Sequence, residues 1–435
     1  MSHFGILSFP GTGHLHPLTA LGRELARQGH TVTVLQVADV EHLVRAAGLR
    51  FHQIGKVDFP LGTLRVLDEK LSRLHGPEAM DLVFKRIHRN SQIVLRDAPN
   101  AIRSEGIDAL IVDQAEPAGG SVADYLGLPF VTAILTLPLN LQSGFPRCAF
   151  RVESEWDPGA KGQSVTGISR LGLIQLRILA LINRQRARWG LPPKAGLNTC
   201  DSELAQIAQV PAGFDLPNRK LPSCFHYTGP FFDGAGRREI QFPWSQLDSS
   251  RPLVFVSMGT LQNGIERVFR IVAEACADLP VQTVISLGGG LSSEAFSELP
   301  GNPIVVRYAP QLALLSRAAL TIFHGGLNTA LESLAHGVPM IAIPVTFDQP
   351  GVGARLVRTG TGKMIPIREL TANRLRMEMW ETLTNKQYSA NAKLLQNQIS
   401  LRNGVTWAAD VIDRALEGPV SHVPLPFDNA IASLG

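Results

Sequence analysis

Two stretches of this chain hold residues equipped for chemistry. In one, an apolar run, Leu320-Thr321-Ile322-Phe323, leads into His324-Gly325-Gly326-Leu327-Asn328-Thr329 and then an amphipathic segment ending at Gly337. That order predicts a buried strand, a glycine turn and a helix whose first amides face the turn. A helix N-terminus, with unpaired N–H groups and the positive end of the dipole, is a ready anion site. Asn328 and Thr329 fall in the first turn, and Glu332 lies one turn beyond Asn328 on the same face, since residues i and i+4 are neighbours on a helix. Donors for a diphosphate and a carboxylate suited to ribose hydroxyls then lie along one line, as a nucleotide-diphosphate site requires.

The other stretch is Gly11-Thr12-Gly13-His14-Leu15-His16-Pro17, directly after the strand expected over Phe4 to Pro10. An imidazole titrating near neutrality suits a general base, because it holds and releases a proton at ordinary pH. His14 follows a glycine in the loop. His16 does not, and reads as structural. Asp113 ends the apolar run Ala109 to Val112, where a carboxylate can cap the next helix, and Glu116 can serve as a helix-start carboxylate. Ser257-Met258-Gly259-Thr260 follows another apolar run, and small residues there let backbone amides approach phosphate oxygens. Gly288-Gly289-Gly290 could do the same, or be a plain turn.

The elements that must position these residues repeat a strand–helix rhythm. In the first half, strands are expected over Phe4 to Pro10, Thr31 to Gln36, Ala109 to Val112 and Pro129 to Leu135. Pro17 is expected at the first helical position, where its missing N–H costs nothing. Leu18, Leu21 and Leu25 then recur at helical spacing until Gly29, suited to a left-handed helix end. The rhythm restarts at Leu253 to Ser257 and continues through Val281 to Leu287, Ile304 to Tyr308, Leu320 to Phe323 and Met340 to Ile343. Alternation of this kind argues for an α/β fold with parallel, doubly wound sheets. We therefore expect a first domain over 1–228, an exposed linker over 229–251, rich in Gly, Pro and charge, a second domain over 252–402, and a C-terminal helix within 403–435. Leu171 to Ile182, with Arg177 and Arg184 to Arg188 as basic side chains, reads as a packed helix, with a membrane-surface or acceptor-lining face as the alternative.

Bulk properties narrow the class. At 435 residues the chain suits two domains. With 41 basic and 37 acidic residues the net charge is only +4, and no basic tract argues for nucleic acid. The four cysteines show no paired spacing, so reduced, buried thiols and a cytoplasmic setting are expected. MSHFGILSFPGTGH lacks the basic start of a signal peptide, and no run reaches the ~20 apolar residues of a spanning helix. No Asp-x-Asp pair occurs to clamp a metal on phosphates.

The segment Tyr308 to Gln349 resembles the donor signature of the family-1 nucleotide-sugar glycosyltransferases. The matching elements are Tyr308-Ala309-Pro310-Gln311, His324 to Thr329, Glu332, Gly337-Val338-Pro339 and Asp348-Gln349. Tyr308 stands where the plant enzymes usually carry Trp. The resemblance implies that Tyr308 and Gln311 face the base, that Thr260, His324, Asn328 and Thr329 face the phosphates, and that Gly326 and Leu327 belong to the same donor site. It further implies that Glu332 holds the ribose, and Asp348 with Gln349 the sugar. Gly13-His14-x-x-Pro17 matches the family's base motif, making His14 the catalytic base. Asp113 matches the aspartate that orients it, with Glu116 as the alternative partner. A carboxylate accepting Nδ1–H would fix the tautomer and stabilise the imidazolium. The implied architecture is two facing Rossmann-like domains, the GT-B arrangement, with the last helix crossing back to the first domain.

Further segments, among them Val112 to Ala118, Leu126 to Phe130, Pro222 to His226 and Phe347 to Gly351, resemble bacterial zeaxanthin glucosyltransferases. The likeness is patchier between Gly144 and Leu197. It implies an inverting, metal-independent transfer of glucose or a related hexose from a UDP-sugar to a hydroxyl of an apolar acceptor such as a carotenoid. The UDP-sugar is a co-substrate, and no cofactor or metal is expected. Contact with a membrane surface would follow from a bilayer-dissolved acceptor. The alternatives are a soluble phenolic, polyketide or sterol acceptor, a nucleotide-sugar epimerase, and a nucleotide-sugar-binding module without turnover.

Overall fold

The computed structural model of the chain describes residues 1–140, 170–233, 240–296 and 298–417. Strands β1 (His3–Leu7), β2 (Thr31–Gln36), β3 (Arg50–Gln53), β4 (Ala109–Asp113), β5 (Phe130–Ile134), β6 (Gln206–Ala208) and β7 (Phe225–Tyr227) form one sheet, ordered β3-β2-β1-β4-β5-β6-β7. Strands β8 (Leu253–Ser257), β9 (Gln282–Ser286), β10 (Ile304–Val306), β11 (Ala318–Phe323), β12 (Met340–Ala342) and β13 (Gly362–Met364) form a second, ordered β10-β9-β8-β11-β12-β13. Every pairing in both is parallel. Parallel sheets are covered on both faces, so their central strands read as continuous apolar runs. Accordingly β4 and β8 are buried throughout.

In each sheet the winding reverses beside the first strand, between β1 and β4 and between β8 and β11. Such a reversal opens a crevice at the carboxyl ends of the strands, where ligands bind in open α/β sheets. His14 follows β1 and Asp113 ends β4; Gly259 follows β8 and His324 follows β11. Both sets of chemistry residues therefore sit at switch points.

The helix after β1 starts earlier than expected. It spans Thr12–Arg27 with Gly11 as N-cap, so Pro17 lies inside it and His14 is in its first turn. The reason is local: the Phe9-Pro10-Gly11 bend already turns the chain, and the His14 and Leu15 amides both reach the Gly11 carbonyl. Four short strands, β3, β6, β7 and β13, are additions to the expected set, as is the long helix Gly76–Glu105.

Helix Gly404–Leu416 lies against Thr12–Arg27, and its Val405, Ala408, Ala409, Val411 and Ile412 join the core of the first sheet. Its start is capped by Asn403, whose side chain accepts from the Val405 and Thr406 amides. Within the stretch read as an exposed linker, Phe231 is buried in the first core and Phe242 in a cluster under the second sheet, while 234–239 lie outside the described residues. A third apolar cluster joins the halves directly, setting Leu137, Val210 and Phe214 against Phe323, Leu327, Leu331 and Leu334. Cys200, Cys224 and Cys276 are free thiols, and Cys148 lies outside the described residues. Among the described residues no helix is long and apolar enough to cross a membrane.

Candidate active site

A cleft of about 3130 Å³ runs between the two sheets. Single-ligand pockets are usually ~300–1,000 Å³, so there is room for two substrates together. His14, Thr260, Tyr308, Gln311, His324, Gly326, Leu327, Asn328, Thr329, Glu332, Asp348 and Gln349 all line it.

On the first-sheet side, His14 Nδ1 is 2.8 Å from Asp113 Oδ2. Asp113 is 1% exposed and also accepts from Ser8 Oγ (3.0 Å), the Phe9 amide (3.2 Å) and the Ala115 amide (2.9 Å). Burial alone would raise its pKa, but His14 and these hydrogen bonds outweigh it and hold the carboxyl below the usual range. Burial opposes protonation of His14 too, yet Asp113, with a smaller share from Asp348, raises the imidazole above its ordinary value. An ionised Asp113 takes the Nδ1–H, which leaves the lone pair on Nε2. That is the arrangement of a base oriented by a carboxylate. Glu116 does not reach His14. It is buried beneath Asn90 (2.5 Å) and Ser91 (2.9 Å), and burial pushes it up to about 8.

On the second-sheet side, helix Leu327–Ala335 begins at Gly326 with no side-chain cap, so its first amides face the cleft. Leu327 is itself buried, which leaves its backbone N–H as its contribution. His324 is wedged between two glycines: a Cβ on Gly259 would fall 2.5 Å from its ring, and one on Gly326 would strike Nε2. Any side chain at either position would displace the ring. Burial drives the His324 pKa down to about 4, so the ring is neutral at pH 7. Gln311 Nε2 donates to Glu332 Oε2 at 2.6 Å and lies 3.5 Å from Thr329 Oγ1. Tyr308 is 46% exposed and packs against Gly289, while Thr260 is exposed at the mouth of the loop after β8. The glycine loop is thus held in place, with Asn263 Nδ2 donating to the Gly259 and Gly288 carbonyls at 3.0 and 2.7 Å.

Asp348 follows Phe347, whose φ of 60° is left-handed and unusual for a bulky side chain. Asp348 Oδ2 accepts from the Leu137 amide across the cleft at 3.3 Å. Gln349 is already engaged: Oε1 accepts from the Val345 and Thr346 amides (2.8 and 2.9 Å), and Nε2 donates to Gln262 Oε1 at 3.0 Å. Its side chain shapes the loop that presents Asp348. Gln262 in turn donates to the Leu74 carbonyl in the first half. The sequence does not announce Gln209, Gln262 or Asn263, because a lone amide side chain in a loop carries no local signal. Among the described residues no three His, Cys, Asp or Glu side chains gather as a metal-holding group.

Apolar side chains line the rest of the first-sheet wall. Met80, Val83, Phe84 and Ile87 present one stripe of helix Gly76–Glu105, and Leu176, Ile178 and Leu179 come from helix Arg170–Arg188. That second helix both packs and lines, since Ile178 and Ile182 are buried in the first core.

The family model for UDP-glucoronosyl and UDP-glucosyl transferase matches residues 241–400. Zeaxanthin glucosyltransferase of Pantoea ananas is 33% identical over 423 residues, covering 96% of each chain. That of Pseudescherichia vulneris is 32% identical, covering 97% of this chain and 100% of its own. Among solved structures, the glycotransferase of kitacinnamycin superposes with a TM-score of 0.74 at 22% identity, covering 95% of this chain and 98% of its own. With two facing parallel-sheet domains of the GT-B type and relatives aligned along nearly its whole length, the chain belongs to the UDP-glucuronosyl and UDP-glucosyl transferase family and is a glycosyltransferase.

Proposed function

We propose that the protein transfers glucose, or a related hexose, from a UDP-sugar to a hydroxyl of an apolar acceptor such as a carotenoid, with inversion at the anomeric carbon. The observation that carries this reading is the His14–Asp113 pair, 2.8 Å apart, facing the uncapped start of helix Leu327–Ala335 across one cleft. The acceptor O–H gives its proton to His14 Nε2 as its oxygen attacks the anomeric carbon. The bond from that carbon to the diphosphate oxygen breaks, and UDP leaves with the electron pair. Attack from the face opposite the leaving group turns an α-linked donor into a β-glycoside.

The leaving diphosphate is met by the amides of Leu327, Asn328 and Thr329, by Thr260 and by a neutral His324, which would act as a hydrogen-bond donor and not as a charge. Fixed dipoles of this kind stabilise developing charge without reorganising. Tyr308 and Gln311 flank the base, Glu332 takes the ribose, and Asp348 takes sugar hydroxyls with Gln349 holding its loop. No metal or cofactor enters the proposal, so EDTA should leave turnover unchanged. The acceptor class is supported by the apolar stripe of Met80, Val83, Phe84 and Ile87 and by the two relatives named zeaxanthin glucosyltransferase. An acceptor dissolved in a bilayer would bring the protein to a membrane surface, and with reduced thiols a cytoplasmic face is the proposed setting.

The test is product mass after incubation with UDP-glucose and, in parallel, zeaxanthin in liposomes, a sterol and a flavonoid. Preferential hexosylation of zeaxanthin is expected. Preference for the compact flavonoid would discard the carotenoid, and an altered nucleotide sugar with no glycoside would discard transfer to these acceptors.

A further inference from the structure

The resemblance places Asn328 on a phosphate, but its side chain is engaged elsewhere. Nδ2 donates to the carbonyl of Gly13 at 2.7 Å, and Oδ1 accepts from Gln209 Nε2 at 2.8 Å. Gln209 is 2% exposed, and its Nε2 also donates to the Leu135 carbonyl at 2.5 Å. That bond fixes the Gln209 amide, which in turn directs Asn328 Oδ1 toward Gln209 and Nδ2 toward Gly13. Both ends of the Asn328 side chain are therefore held by the first half of the molecule, while its backbone N–H remains in the first helical turn facing the cleft.

The acceptor of this bond exists because of Pro17. In a helix the N–H of residue 17 would close on the carbonyl of residue 13. Proline has no N–H, so Pro17, inside helix Thr12–Arg27, cannot make that bond and leaves the Gly13 carbonyl to a partner outside the helix. Gly13 directly precedes His14.

We infer that Asn328 is a positioning residue: it ties the anion-binding helix of the second domain to the backbone beside the base, through a carbonyl that Pro17 leaves available. This rests on the reading of His14 as base and of helix Leu327–Ala335 as the diphosphate site. Its consequence is that a diphosphate seated on the helix start fixes the Gly13–His14 peptide, and so aligns the base when the donor is in place.

Two variants and two readouts test it. Asn328→Ala should lower kcat by about ten- to a hundredfold, the cost of a base displaced by an ångström or less, while leaving the Kd for UDP unchanged. Pro17→Ala, which restores the internal N–H, should lower kcat in the same direction without lowering Tm, so that its effect is separable from misfolding. The second readout needs no acceptor. Hydrogen–deuterium exchange of residues 11–17 should slow when UDP is added to the wild type, and should not respond to UDP in Asn328→Ala, while 324–332 stay protected in both. Weakened UDP binding with full kcat at saturating donor would make Asn328 a phosphate ligand and overturn the inference. So would full kcat in either variant, or UDP protection of 11–17 that survives in Asn328→Ala. A wild type that binds UDP but glycosylates no acceptor would count against the proposed function alone, because the exchange experiment still decides the coupling.

Discussion

Arg355 and Asp215 join the two halves of the molecule below the cleft, with Arg355 Nε and Nη2 converging on Asp215 Oδ1 at 3.1 and 2.6 Å. Both are almost fully buried, and the other carboxylate oxygen accepts from Arg219 (3.0 Å) and the Tyr227 hydroxyl (2.9 Å). Truncating one partner of such a pair strands the other charge in the interior. Asp215→Ala should therefore destabilise the protein by about 3–5 kcal/mol in urea denaturation, far more than the ~0–1 kcal/mol of an exposed pair. A loss below that surface value would show that water reaches Arg355.

The same pair gives a pH dependence. Burial pushes the Asp215 pKa up, but Arg355 and then Arg219 outweigh it, so the folded value lies below the ordinary one. A depressed folded pKa adds stability that is complete above the unfolded value of ~3.9 and lost as pH falls through the folded value. Thermal melts of wild type and Asp215→Ala should converge on acidification below pH ~4. Curves that stay parallel would remove Asp215 from the acid response.

If His14 is the base, as proposed, His14→Ala should cost about 10²–10⁴-fold in kcat with UDP affinity intact. Because Asp113 raises the His14 pKa above its ordinary value, and only the neutral ring can accept a proton, kcat/KM should rise with pH through a limb above ~6.5. Asp113→Asn removes the charge that overcomes burial, so the limb should move to lower pH while the rate falls. A limb unmoved by Asp113→Asn would mean that another group sets it.

Much of this site is legible in the sequence because its residues sit at the ends of fully buried strands. Leu253–Ser257 and Thr31–Gln36 are apolar or β-branched nearly throughout and match their expected bounds. Short strands are harder: Arg50–Gln53 is largely polar and Gln206–Ala208 is only three residues long, and pairing with a neighbour is what makes them strands. Pro17 misleads because proline is favoured at a helix start, whereas here the Pro10-Gly11 bend starts the helix first. Least legible are Gln209, Gln262 and Asp215. Each reaches across the molecule, to Asn328, Leu74 and Arg355 respectively, and nothing in its local spacing announces those partners.

Glu332 is 3% exposed and bonded to Gln311, so the proposed ribose contact would be made in a largely dry setting. Glu332→Ala should weaken UDP by about 1–3 kcal/mol in calorimetry, as expected for hydrogen bonds to a charged acceptor. Gln311→Ala should do so less, since it leaves the carboxylate present. Unchanged UDP affinity in Glu332→Ala would move the ribose off this helix face.

The proposed acceptor wall offers the sharpest separation between the two substrates. Met80, Val83, Phe84 and Ile87 recur at the i, i+3, i+4, i+7 spacing of one helix face, and all four line the cleft. None belongs to the helix that carries the nucleotide signature. A charge placed on that stripe must be desolvated whenever a long apolar acceptor lies along it, but not when UDP binds alone. Val83 is partly exposed, so Val83→Asp should be tolerated in the free protein. It should raise KM for liposome-dispersed zeaxanthin by an amount worth roughly 1–3 kcal/mol, the cost of leaving a polar group poorly solvated. The Kd for UDP should stay where it was, and a compact flavonoid that does not reach the stripe should lose less. Equal losses on both acceptors, or a loss of UDP affinity, would place the acceptor elsewhere in the cleft and take the apolar stripe out of the argument for a carotenoid.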